Sequence, residues 1–229
     1  MTESGGKMDF IFMLTRRDRT LDNCLDVLTQ IAPLGLRHIG FKDVGVGTET
    51  LLALNAGIKA MGAVSYLEVV AASPEAALRS ARIGVEIGVD RLLGGTQVAE
   101  TLEILEGSGA AYYPFPGTPV GHPTMLGGDA AQVEAQAAAF MAQGCAGVDL
   151  LAYRATEAEP LALVRAARLG CGKDGWLICA GAVDSPARIA ALGEAGADAF
   201  TIGSAVFDGS FAPGAGGVVA QLQEILACV

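Results

Sequence analysis

Apolar and polar positions follow two rhythms along this chain. Short apolar runs occur at Phe10–Leu14, His38–Phe41, Val64–Val70, Arg91–Leu93, Ala111–Phe115, Gly147–Ala152, Trp176–Ala180 and Ala199–Gly203. Their length and flanking turn residues predict buried strands. Longer segments lie between them, with apolar residues near i, i+3 and i+4. These are Cys24–Ile31, Glu49–Ala60, Pro74–Ile87, Ala99–Leu105, Ala130–Gln143, Leu161–Leu169, Ser185–Ala195 and Val218–Ala227. That spacing gives one apolar face and predicts helices. Strand and helix alternate strictly, eight of each.

A local signature recurs where helix gives way to strand: Ile87-Gly-Val-Asp, Cys145-Ala-Gly-Val-Asp and Ala195-Gly-Ala-Asp. Its glycine suits the left-handed position after a helix. A recurring βα unit implies repeated right-handed parallel crossovers. Eight such units in 229 residues predict an α/β fold, a single (β/α)8 TIM barrel spanning residues 1–229. An open doubly wound sheet is the rival, weakened because no G-x-G-x-x-G follows the first strand.

Composition narrows the partners. Hydrophobic residues make up 52% and charged residues 17%, which excludes a disordered chain. The net charge of −10 argues against nucleic acid and anionic membrane, which need a basic footprint. The longest uncharged stretch, Gly107–Gly128, contains Pro114, Pro116, Pro119 and Pro123, so it is no spanning helix. The first ten residues lack the basic and apolar regions of a signal peptide. The five cysteines form no CxxC pair, so the expectation is reduced thiols in a cytoplasmic protein. The high apolar content is consistent with a homo-oligomer.

In such a barrel the chemistry sits in the loops after the strands. After the last two strands come Cys179-Ala-Gly-Ala-Val-Asp-Ser-Pro186 and Thr201-Ile-Gly-Ser-Ala-Val-Phe207. Small residues there let backbone N–H groups approach an anion. Ser185-Pro186 has the form of an N-cap followed by an N1 proline. The stretch Ile178–Phe207, ICAGAVDSPARIAALGEAGADAFTIGSAVF, resembles the C-terminal quarter of the ribulose-phosphate-binding barrel enzymes. That group holds phosphosugar epimerases, isomerases and keto-acid-phosphate aldolases. The resemblance implies a phosphate grip by the backbones of Gly181, Ala182, Gly203 and Ser204.

The acid/base candidates lie on the second and third strands. Ile39 and Phe41 are expected to face the helices, which turns Lys42 inward. Leu67 and Val69 likewise leave Tyr66 and Glu68 inward. Lys42 and Glu68 would then meet at the mouth, able to move a proton beside a carbonyl, or to form a plain salt bridge. Asp43 is a second carboxylate for the same chemistry, or a helix cap. Substrate contacts are expected from Arg16 in the Arg16-Arg17-Asp18-Arg19 cluster, from His122 in the long loop after the fifth strand, and from Asp149 and Arg154. No HxH or HExxH motif is present, so a metal-independent reaction is expected, with a Mg²⁺ held by Asp43 and Glu68 as the alternative, and no cofactor is expected.

The leading expectation is therefore an enzyme acting on a small phosphorylated sugar or keto acid, by isomerisation or epimerisation through Lys42 and Glu68. The first alternative is an aldolase or lyase, using a Schiff base at Lys42 or a stabilised enolate. The resembling aldolases carry their lysine on a later strand, where this chain has none. The second alternative is a non-catalytic sensor of a phosphorylated ligand.

Overall fold

The computed structural model describes residues 8–70, 73–121 and 123–229. Eight parallel strands form its sheet: β1 (Asp9–Met13), β2 (His38–Lys42), β3 (Val64–Glu68), β4 (Arg91–Leu93), β5 (Ala111–Tyr113), β6 (Gly147–Leu150), β7 (Trp176–Cys179) and β8 (Ala199–Ile202). The ladder runs β6-β7-β8-β1-β2-β3-β4-β5. The amide of Ala146 donates to Tyr112 O and that of Asp149 to Pro114 O, each at 3.0 Å, which brings β5 and β6 together and closes the circle. The chain is a (β/α)8 barrel.

The outer helices are α1 (Cys24–Ile31), α2 (Thr48–Ala60), α3 (Pro74–Ile87), α4 (Val98–Leu105), α5 (Ala130–Ala142), α6 (Pro160–Cys171) and α7 (Pro186–Ala195). A short α8 (Ser204–Phe207) and α9 (Gly217–Leu226) follow β8. No helix among the described residues is long and apolar enough to cross a membrane. α1 shows why these segments are helical: Cys24, Val27, Leu28 and Ile31 form its buried stripe. Each fully buried aliphatic side chain of this kind contributes about 1.5–3 kcal/mol. Ser73, Asp129 and Ser185 cap α3, α5 and α7, their side chains accepting from the amides of Ala76, Gln132 and Arg188.

Strand period sorts the core into two layers. Leu67, Leu92, Val148 and Phe200 face the helices. Ile11, Met13, Tyr66, Leu93, Tyr113, Ile178 and Ala199 fill the barrel interior. Gly40 is interior too, where a Cβ would lie 2.3 Å from Met13 Sδ. At the N-terminal end Arg91 plugs the barrel, its guanidinium carbon 4.3 Å from the Trp176 ring centroid and within 6 Å of the Tyr66 and Tyr113 rings. His38 closes that end, its Nδ1 2.8 Å from the Tyr66 hydroxyl.

Three expectations need correction. Several strands end earlier than their apolar runs, β3 at Glu68 and β6 at Leu150, because the last residues of each run enter the loops. Two antiparallel hairpins were not foreseen, Thr15–Arg16 with Arg19–Thr20, and Thr118–Val120 with Met125–Gly127. The repeated signature is also out of phase in its middle copy. Gly88 and Gly196 take left-handed cap positions (φ 73° and 102°), but Gly147 starts β6 and Gly144 (φ 98°) turns the chain instead. Asp90 and Asp198 therefore sit before their strands and accept from the Ser65 and Leu177 amides of the neighbouring strand. Asp149 lands inside the barrel.

Candidate active site

The C-terminal mouth is built around Lys42, the last residue of β2 and only 5% exposed. β2 pairs with β3 so that Lys42 stands beside Glu68, and Lys42 Nζ lies 3.0 Å from Glu68 Oε1. Lys42 Nζ also donates to Asp18 Oδ1 at 2.7 Å. Burial alone would lower the lysine's pKa, but Glu68 and Asp18 more than reverse this and hold the ammonium charged. Burial likewise works against an ionised Asp18, yet Lys42 and Arg154 hold it below the usual carboxylate range.

Asp18 is the residue that sequence reasoning passed over. It reaches Lys42 because Arg17 and Asp18 both adopt left-handed φ, 51° and 58°, at the tip of the first hairpin. Two such residues make the type I′ turn that fits a two-residue hairpin. The available signal was an aspartate within an arginine cluster just after a strand, and aspartate tolerates this conformation better than most residues.

Arg154, in the single turn of 3-10 helix after β6, spans the mouth. Its guanidinium approaches Asp18 at 3.4 Å and donates to Thr124 O at 3.2 Å. It lies across Gly181, where a Cβ would sit 2.4 Å from Arg154 Nε. Gly181 (φ 77°) and Ala182 (φ 56°) both take left-handed backbone after β7, a costly conformation for alanine. Gly203 approaches the end of β1 so closely that a Cβ would lie 2.8 Å from Thr15 O. Lys42, Glu68, Asp18, Arg154, Gly181, Ala182, Gly203 and Ser204 thus line one cavity of about 220 Å³.

Asp149 lies beneath this cavity, with 0% exposure and no hydrogen-bond partner for either carboxyl oxygen. Burial, then the nearby Glu68, raise its pKa well above the usual carboxylate range. Burial thus favours its protonated form, close to Lys42, Glu68 and Arg154.

Other candidates fall elsewhere. Asp43 does not line the cavity; it turns to α3, where Ser80 Oγ donates to it. Arg16 is exposed at the rim and bound to Asp208, its Nε 2.6 Å from Oδ1. The Arg17 amide donates to Ser204 Oγ at 3.1 Å, tying the first hairpin to the loop after β8. His122 lies outside the described residues. Among those residues no group of three or more His, Cys, Asp or Glu side chains is arranged to hold a metal ion. All five cysteines are free thiols, four of them buried.

No protein-family model matches this chain. No curated protein matches it. Solved structures do. One described as "Native KDPGal structure" aligns with a TM-score of 0.67 at 15% identity, covering 97% of this chain and 96% of that one. "QR15, an Aldolase" aligns with a TM-score of 0.64 at 11% identity, covering 99% and 97%. A cube-shaped, highly porous protein cage designed by fusing symmetric oligomeric domains aligns with a TM-score of 0.66 at 15% identity, covering 97% and 73%. The likeness is one of fold. It matches the barrel across its whole circuit and leaves the chemistry to the residues at the mouth.

Proposed function

We propose that this protein makes or breaks a carbon–carbon bond next to the carbonyl of a small phosphorylated sugar or keto acid. The observation that carries the reading is the buried Lys42 ammonium, held by Asp18 and Glu68 at 2.7 and 3.0 Å in the cavity that Gly181, Ala182, Gly203 and Ser204 also line. A fixed cation in a site of low dielectric stabilises an enolate where its charge develops. In the cleavage direction Glu68 takes the proton of the substrate hydroxyl. The bond between the carbinol carbon and the α-carbon breaks, and its electron pair moves onto the carbonyl as an enolate beside Lys42. The hydroxyl-bearing half leaves as an aldehyde. The α-carbon then recovers a proton from Glu68, with no change of oxidation state overall.

The phosphate end is assigned to Gly181, Ala182, Gly203 and Ser204, with Arg154 beside Gly181 supplying charge. Two fold neighbours support a bond-cleaving chemistry by what they are called, one a KDPGal structure and one an aldolase. The paired, charged lysine favours enolate stabilisation over a Schiff base, which needs a free neutral amine. The same Lys42–Glu68 contact also supports proton transfer without cleavage, the isomerase reading. We further read the protein as a cytoplasmic homo-oligomer. The exposed Leu169 on α6 and the oligomeric domains of the cage neighbour support self-association, and sedimentation tests it.

The deciding experiment combines binding and turnover. Thermal shift with phosphorylated three- to six-carbon sugars and keto acids is expected to give ligands, weakened in Gly203→Asp. With a responsive ligand, Lys42→Met is expected to lose at least about a thousandfold in turnover while still binding, as expected for a group that stabilises transition-state charge. Borohydride is expected to leave no adduct on Lys42. An adduct there would replace the enolate with an imine. Ligand binding without turnover in the wild type, together with full cellular function in Lys42→Met, would replace the enzyme with a sensor; retained turnover in Lys42→Met would remove Lys42 from the chemistry.

A further inference from the structure

The turn between β7 and α7 has two successive left-handed residues, Gly181 (φ 77°) and Ala182 (φ 56°). Glycine adopts this backbone freely, but in alanine the Cβ crowds the following carbonyl. Ala182 stays there only because something outside the turn holds it. So held, Gly181, Ala182 and Val183 line the cavity around Lys42. Among the described residues no group accepts from their three amides. Consecutive amides that line a cavity without a protein acceptor suit an anion.

One side chain grips this turn. Arg188 stands in the first turn of α7, three residues after its cap Ser185. A cation at that place opposes the helix dipole, so helix stability does not account for it. Arg188 Nη1 donates to the carbonyl of Ala182 and, at 3.0 Å, to Asp184 Oδ2. The guanidinium carbon lies 4.6 Å from the centroid of the Tyr153 ring. The Tyr153 hydroxyl in turn donates to Arg188 O at 3.4 Å. The guanidinium is therefore fixed by a carboxylate and by an aromatic face, with Ala182 O as its third partner. Arg188 is not among the walls of the cavity. It reaches the site only through the backbone of Ala182.

We propose that Arg188 is a positioning residue for the phosphate end of the substrate: fixed by Asp184 and Tyr153, it holds Ala182 O and keeps the turn in the left-handed state that leaves three consecutive amides to the anion. The inference rests on the phosphate reading above and names the residue that assembles its seat. Because Arg188 acts through the strained backbone of Ala182, removing the strain there should make Arg188 dispensable.

Inorganic phosphate is the probe, titrated into the full chain by calorimetry. The Arg188 side chain is 39% exposed, so its replacement leaves the core intact. Arg188→Met is expected to bind phosphate at least about tenfold more weakly than the wild type. In the Ala182→Gly background, where left-handed backbone needs no support, the same change is expected to weaken binding less than about threefold. An Arg188 that acted by its charge alone would give equal losses in both backgrounds, and that result overturns the proposal. Wild-type affinity in Arg188→Met overturns it too. A second measurement is independent of phosphate. The three-bond coupling between the amide and α protons of Ala182 reports its φ, and it is expected to change in Arg188→Met. If the wild type binds no phosphate but this coupling changes, the phosphate reading falls and the clamp on Ala182 stands. If the coupling is unchanged, the clamp is overturned.

Discussion

A fully buried carboxyl with no hydrogen-bond partner leaves a mark on stability. Asp149 keeps its proton in the folded barrel at pH values where the unfolded chain, with a carboxyl pKa of about 3.9, has lost it. Its folded pKa is raised, so stability is full below the unfolded value and falls as pH rises, by up to about 1.4 kcal/mol per pH unit until the buried group ionises. Asp149→Asn cannot ionise. Urea denaturation from pH 4 to 8 is expected to show the variant gaining on the wild type as pH rises. A difference that stays constant with pH would reject the neutral acid. Asp18 behaves in the opposite sense. Its folded pKa is lowered, so its contribution is present above about pH 4 and lost in more acidic solution. Asp18→Asn removes one partner of a buried ion pair and is expected to cost about 3 kcal/mol at neutral pH, a loss that shrinks as pH falls through that range.

At the scale of elements, the hairpin after β1 does more than its length implies. Its left-handed Arg17 is costly for a residue with a Cβ, and Arg17→Gly is expected to stabilise the protein by about 0.5–1 kcal/mol while leaving Asp18 on Lys42. Equilibrium unfolding checks this, and a loss of stability would mean that the Arg17 side chain contributes more than its backbone costs. The same hairpin marks the limit of what the amino-acid order reveals. Lys42 and Glu68 were legible because strand side chains alternate, and Ile39, Phe41, Leu67 and Val69 declared the outer face. Asp43 lies one residue beyond β2, where alternation no longer governs direction, and it turned to α3. Two-residue strands such as Thr15–Arg16 have no period to detect, and Arg-Asp lacks the glycine that normally announces their turn. Asp18 was hidden for that reason.

Taken as a whole, the barrel divides its work between its ends. The N-terminal end is sealed by Arg91 among Tyr66, Tyr113 and Trp176, where Arg91 Nη1 also donates to the Tyr66 hydroxyl at 2.9 Å. Arg91→Met removes the cation–π contacts and leaves that hydroxyl one partner short, so a loss of about 2–3 kcal/mol is expected. Ligand affinity at the opposite mouth should change less than twofold, as measured by titration beside urea unfolding. Coupled losses of both would mean that the plug sets the shape of the site.

The junction of β5 and β6 has a different consequence. One of the two bonds that close it is made by the amide of Asp149, the residue whose carboxyl lies buried beneath Lys42. If these two bonds open, water reaches that carboxyl, and the wetted carboxyl sheds its proton at neutral pH. Alkaline solution thus favours the opened wall. The Asp149 amide is expected to exchange its hydrogen for deuterium faster with rising pH than base catalysis alone produces, and in Asp149→Asn the excess should vanish. The barrel would then have a weak seam whose opening is set by the acidity of the water around it.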